Sequence, residues 1–109
     1  MGVRINGLEH YASWHLSANK INGDEVRDGL VKTVEEAGLG KSIMNRTRFK
    51  KDGLVVDFGY EKISVINVEI NLYASDVKKA EELRQTIMKQ IDSYKERNML
   101  LTSRESLDS

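Results

Sequence analysis

Asp52-Gly53 constrains the fold of this chain more than any other pair of residues. It lies between two runs of alternating polar and apolar side chains, "RTRFKK" and "LVVDFGYE", and both central positions of a two-residue hairpin turn can require positive φ. If these two residues are the loop, Phe49 faces Val56, Thr47 faces Phe58 and Arg48 faces Asp57. One side of the hairpin is then apolar and the other carries a cross-strand ion pair, as in a sheet with one buried face.

The segments on either side fix the rest of the order. "KISVINVEINLY" alternates with Ile66, Val68, Ile70 and Leu72 on one face, the clearest strand in the chain. Upstream, Val26, Leu30, Val31, Val34 and Ala37 form one helical stripe. Asp24 and Glu25 stand in its first turn, where the macrodipole favours anions. Gly38 and Leu39 are placed to end that helix as the left-handed residue and the apolar residue of a Schellman motif. Downstream, Ser75 is expected to cap a second helix. Its stripe of Val77, Ala80, Leu83, Ile87, Ile91 and Tyr94 carries it to about Asn98. "LLTSRESLDS" loses periodicity and reads as a frayed or disordered tail. Near the N-terminus, Ala12, Trp14, Leu16 and Ala18 alternate as a strand, although Leu8, Tyr11, Ala12, His15 and Leu16 suit a helix almost as well. Asn6-Gly7 could turn a hairpin that sets Arg4 opposite Glu9.

The expected fold is therefore α+β in the order β-α-β-β-β-α, a two-layer sandwich of a three- to five-stranded antiparallel sheet with two helices on one face. A single domain spans 1–98 and a tail spans 99–109. A chain of 109 residues is long enough for one core without staples. The other face of the sheet is left over, and its role is the functional question.

Charge and composition remove several classes. Seventeen basic residues balance seventeen acidic ones, so attraction to nucleic acid or to an anionic membrane has to be local. No cysteine is present, which removes thiol chemistry and suits a cytoplasmic setting. The first residues lack the apolar run of a signal peptide. Asn6 stands where a myristoylation signal needs Ser or Thr, and no segment is apolar enough to span a bilayer. The sequon at Asn45 is then fortuitous.

"EEAGLGKSI" resembles the end of a phosphate-binding loop. The position that must be glycine is Glu35, however, and the glycines follow a helix instead of opening one, so residues 38–42 are not read as a nucleotide site. His10 and His15 cannot chelate one metal as a local pair, and Asp24, Glu25 and Asp28 are explained by their helix N-terminus. No catalytic set, metal site or cofactor site is expected. An enzyme would need a pocket that joins His10, His15 or Trp14 to a carboxylate.

Two surfaces stand out. Lys41, Arg46, Arg48, Lys50 and Lys51 form an acid-free basic run, and Arg46, Arg48 and Lys50 share one strand face where they could track phosphates. Charged residues that protect a sheet edge from aggregation are the plainer reading. Tyr94, Met99, Leu100 and Leu101 continue the apolar stripe past what a small sheet covers and are candidates for contact with a second chain.

The element order is similar to that of the ribosome hibernation-promoting factors, and its α-β-β-β-α part to that of double-stranded RNA-binding domains. Both are likenesses of topology. A chain without proline has no Gly-Pro-x-His loop, and "SDVKKAEEL" matches the RNA-binding helix start only at Lys78, Lys79 and Ala80, so no site is carried over. The sequence points to a small non-enzymatic protein-interaction module, an inhibitor, regulator or assembly factor. It would act as a homodimer or on another protein, through the open sheet face and the long helix. RNA or ribosome binding by the basic strand 41–51 is the alternative, and no membrane partner is expected.

Overall fold

The computed structural model of the chain describes residues 4–5 and 7–108. Its elements are β1 (Arg4–Ile5), β2 (Leu8–Ala18), α1 (Gly23–Glu36), β3 (Gly40–Lys41), β4 (Arg48–Lys51), β5 (Leu54–Lys62), β6 (Ile66–Ala74), α2 (Val77–Glu96) and β7 (Thr102–Leu107). The class is α+β. The strands form one antiparallel sheet in the order β1-β2-β6-β5-β4-β3, with β7 added along β2. Three to five strands were too few: the sheet has seven and it curls, so a plain two-layer sandwich does not describe it. The extra strands escape a reading by periodicity because β1 and β3 have two residues each and "TSRESL" of β7 carries no apolar alternation.

Register follows the alternation. Arg48 pairs with Asp57 and Phe49 with Val56 around the Asp52-Gly53 turn, where Gly53 has φ of 79°. Segment 8–18 is a strand, with Ala12, Trp14, Leu16 and Ala18 all buried and a bulge between His10 and Ala12. Arg4 stands opposite Glu9 at 3.1 Å. Asn6, the expected turn partner of Gly7, lies outside the described residues.

The inward side chains of β2, β5 and β6 join Val26, Leu30 and Val34 of α1 and Ala80, Leu83, Ile87 and Ile91 of α2 in one core. Trp14 is fully buried there and its indole donates to the Met88 sulfur at 2.9 Å. The cap of α2 is Asp76, not Ser75: its carboxylate accepts from the amides of Lys78 and Lys79.

Both helices end in the same way. At Gly38, with φ of 99°, the Leu39 amide bonds back to the Val34 carbonyl and Leu39 turns into the core. At the end of α2 the left-handed residue is Asn98, with φ of 57°, and the Met99 amide bonds to the Tyr94 carbonyl. This second motif corrects two expectations. The chain does not fray after residue 98, since it turns back and pairs as β7 with β2 from Ser17↔Thr102 to Ala12↔Leu107. Tyr94 and Met99 are buried and Leu100 packs against the core, so of the four apolar residues assigned to a partner only Leu101 is exposed.

Polar ties hold the layers together. Arg84 of α2 grips Glu105 of β7 through two hydrogen bonds of 2.7 and 3.0 Å, which raises the guanidinium pKa still further and keeps the pair ionised. Removing the grip with Glu105→Gln is expected to weaken β7 docking by about 1 kcal/mol. Amide exchange in 102–107 should then quicken roughly fivefold while α1 exchanges as before; unchanged exchange would mean that the strand ladder alone holds β7.

Tyr60 of β5 donates to Asp24 of α1 at 2.6 Å, and Tyr11 of β2 to Glu81 of α2 at 2.5 Å. Each carboxylate is held below its ordinary pKa, chiefly by that hydrogen bond. A folded-state pKa below the unfolded one contributes stability that is complete above the ordinary values of 3.8 and 4.5 and is lost as pH falls through the depressed values. The expected result is a Tm that is flat near neutrality and drops below about pH 4. The drop should be shallower in Tyr60→Phe with Tyr11→Phe, and equal acid sensitivity in that variant would contradict the assignment.

Candidate binding face

The outward side chains of β7, β2, β6 and β5 form three cross-strand rows on the face that neither helix covers. One row reads Arg104, His15, Glu69 and Gly59; the next reads Thr102, Ser17, Asn67 and Glu61; the third includes Ser106, Ser13, Asn71 and Asp57 and continues to Arg48 of β4. The alternation of β2 sets this pattern, because Ser13, His15 and Ser17 must point outward once Trp14 and Leu16 point in. Gly59 adds no side chain to its row. A groove of about 630 Å³ runs over the first two rows, lined by His15, Ser17, Gly59, Asn67, Glu69 and Arg104 among others.

The groove is polar and of mixed charge. His15 Nδ1 lies 3.8 Å from the Glu69 carboxylate, and Ser17 donates to Asn67 Oδ1 at 2.6 Å. Beside the groove a chain of side-chain hydrogen bonds crosses the sheet. Asn71 donates to Glu69 at 3.0 Å and turns its Oδ1 toward His10 Nε2 at 3.0 Å, while His10 Nδ1 meets Asp108 at 2.7 Å. Tyr73 packs edge-on against the His10 ring at 5.2 Å. Both ring nitrogens of His10 therefore have side-chain oxygen partners.

The enzyme criterion is met only in outline. His10 and His15 do lie near carboxylates, but Trp14 is on the opposite, buried side of β2, and His10 has neither nitrogen free for a substrate. His15 with Glu69 is a loose pair in a groove open to water. Among the described residues no group of three or more His, Asp or Glu side chains is placed to hold a metal ion. The lining instead sets donors and acceptors in cross-strand rows, with Arg104 and Thr102 on one side and Glu69 and Glu61 on the other.

The basic run is divided by the fold. Arg48 makes a bidentate pair with Asp57 at 2.7 and 3.1 Å, and that carboxylate raises the guanidinium pKa. Lys51 points to the helix side and donates to the Ala37 carbonyl at 2.7 Å, closing the end of α1. Lys41, Arg46 and Lys50 remain exposed, so three of the five cations are available to a ligand. Periodicity could not show this loss, since the Lys51 bond joins residues 14 apart in sequence that only the fold brings together. His10 with Asp108 and Arg104 beside His15 were equally invisible, because both depend on β7.

No helix among the described residues is long and apolar enough to cross a membrane. Comparison with protein-family models, with curated proteins and with solved structures finds no match.

Proposed function

We propose that the chain is a non-enzymatic binding module that holds an extended, polar segment of another protein on the outer face of β7, β2, β6 and β5. The single observation that carries this reading is the row Arg104, His15, Glu69 and Gly59, a cation, an imidazole and an anion in cross-strand register beside a glycine notch. A ligand strand carrying an acid and a base about two residues apart matches that row by charge, and the surrounding hydroxyl and amide groups offer hydrogen bonds without burying a large apolar area. The lack of cysteine suits work in the cytoplasm. The burial of Tyr94 and Met99 weighs against self-association through the end of α2, and the partner in this reading is a different protein.

RNA binding is kept as the second reading on one observation, the exposure of Lys41, Arg46 and Lys50 along the β3–β4 hairpin and its loop. Charge reversal at Arg48 is a poor probe of it, because a carboxylate there would face Asp57 and damage the hairpin. The experiment is affinity recovery from a native extract, with and without nuclease, using the wild type, Arg104→Glu with Glu69→Lys, and Arg46→Glu with Lys50→Glu. Nuclease-resistant protein partners lost in the first variant are expected; nuclease-sensitive recovery lost only in the second would replace this reading with the RNA one.

A further inference from the structure

Three of the large aliphatic side chains that this fold leaves in water, Ile21, Ile63 and Leu101, collect at one end of the sheet, away from Val77 and Leu107. Ala18 at the end of β2 pairs with Ile66, Ile66 pairs with Lys62 at the end of β5, and Ser17 pairs with Thr102 at the start of β7. The connections 19–22, 63–65 and 98–101 therefore leave the ends of four adjacent strands, within roughly 15 Å of one another at the usual strand spacing. They carry Ile21 at 89% exposure, Ile63 at 52% and Leu101 at 57%. The β3–β4 loop points in the same direction from the middle of the sheet edge, since Lys41 and Arg48 at its two ends stand level with Val56 and Asp57 of β5. This loop bears Ile43 and Met44, exposed at 97% and 95%.

A basic residue accompanies these tips in the sequence itself. Lys20 precedes Ile21, Lys62 precedes Ile63, and Lys41 and Arg46 bracket Ile43 and Met44. None of these four cations is in an ion pair among the described residues; of the acids near this end, Asp24 and Glu25 have Arg27 and Arg97 beside them, and Glu61 next to Lys62 offsets part of the positive charge. Aliphatic tips on separate connections do not form the flat patch that a second copy would need. A twofold contact through them would also bring like charges together. A soft, anionic surface accepts both features, with the aliphatic tips entering the boundary between headgroups and acyl chains and the cations meeting phosphate.

We propose that this end of the sheet docks peripherally on an anionic phospholipid membrane through Ile21, Ile63 and the nearby loop residues Ile43 and Met44, with Lys20, Arg46 and Lys62 as headgroup contacts. The expectation of no membrane partner rested on zero net charge and the lack of a spanning segment, and neither speaks to a local surface of this kind. The proposal uses a different surface from the groove and stands or falls apart from it.

The test is cosedimentation of the full chain with vesicles of phosphatidylcholine alone or mixed with phosphatidylserine. Binding to the mixed vesicles, weakened by salt over the range where charges are screened, is expected. Ile21→Ser with Ile63→Ser should lower the partition coefficient roughly tenfold, as should Lys20→Glu with Lys62→Glu. Val77→Ser, at the opposite end, should leave it unchanged. No binding to the mixed vesicles at low salt, or equal binding by all variants, overturns the proposal. So does a concentration-dependent dimer that the isoleucine variant dissociates, which would make a second copy the occupant.

Discussion

Gly23→Ala is expected to destabilise the chain by about 2 kcal/mol, against the usual gain of up to about 1 kcal/mol when alanine replaces glycine in a helix. The reason is the approach of α1 to β6. A Cβ at Gly23 would lie 2.4 Å from Ile66 Cδ1 and 2.5 Å from Ile66 Cβ. The δ-methyl could rotate away, but the Ile66 Cβ is fixed to a central strand paired on both sides, so relief requires α1 to move as a body. Packing strain therefore outweighs helix propensity. Gly23→Val, with two further methyl groups in the same space, is expected to leave little folded protein in a domain of ordinary stability. Urea denaturation of Gly23→Ala, Ile66→Gly and the double variant gives the coupling directly: with no Cβ at position 66, the double variant should be more stable than the sum of the single losses predicts. Strict additivity would mean that the helix does not rest on Ile66.

Tyr94→Ala is expected to cost about 4 kcal/mol of folding stability without changing the oligomeric state. The side chain is almost wholly buried between the helices. Its hydroxyl accepts from Gln90 at 2.8 Å, donates to the Glu25 carbonyl of α1 at 3.4 Å, and lies where a Cβ on Gly29 would otherwise go. Removing it opens a cavity where α1 crosses α2. Tyr94→Phe keeps the ring and loses only the polar contacts, so its expected cost is about 1 kcal/mol. Light scattering alongside denaturation separates this account from the dimer expected from the sequence. A stable Tyr94→Ala monomer formed from a wild-type dimer would restore Tyr94 as an interface residue.

The helical stripe of α1, the alternation of β2 and β6 and the Asp52-Gly53 turn were legible because each is a local pattern whose period reports one buried face. The Gly38-Leu39 ending was legible for the same reason: glycine advertises positive φ. Its counterpart at Asn98-Met99 was not, because asparagine adopts that conformation less often and carries no such signal in one sequence. That one residue separates a protruding apolar helix end from a chain that folds back as β7, and with β7 come Arg104, Glu105 and Asp108. The sheet face was foreseen as a surface, but Arg104 on it was not, since it arrives from a segment without periodicity. The basic run failed in the opposite direction: its pattern was plain, while the bonds that engage Arg48 and Lys51 join residues that only the fold brings together.

The most direct test of the proposed binding face is positional photo-crosslinking. A photoreactive phenylalanine is placed at Asn67 in the groove, at Lys89 on the exposed side of α2, or at Arg46 in the basic loop, and native extract is irradiated after nuclease treatment. The account predicts a discrete protein adduct from Asn67 that is lost with Arg104→Glu, and none from Lys89 or Arg46. An adduct formed from Lys89 and absent from Asn67 would contradict it and move the binding surface to the helices.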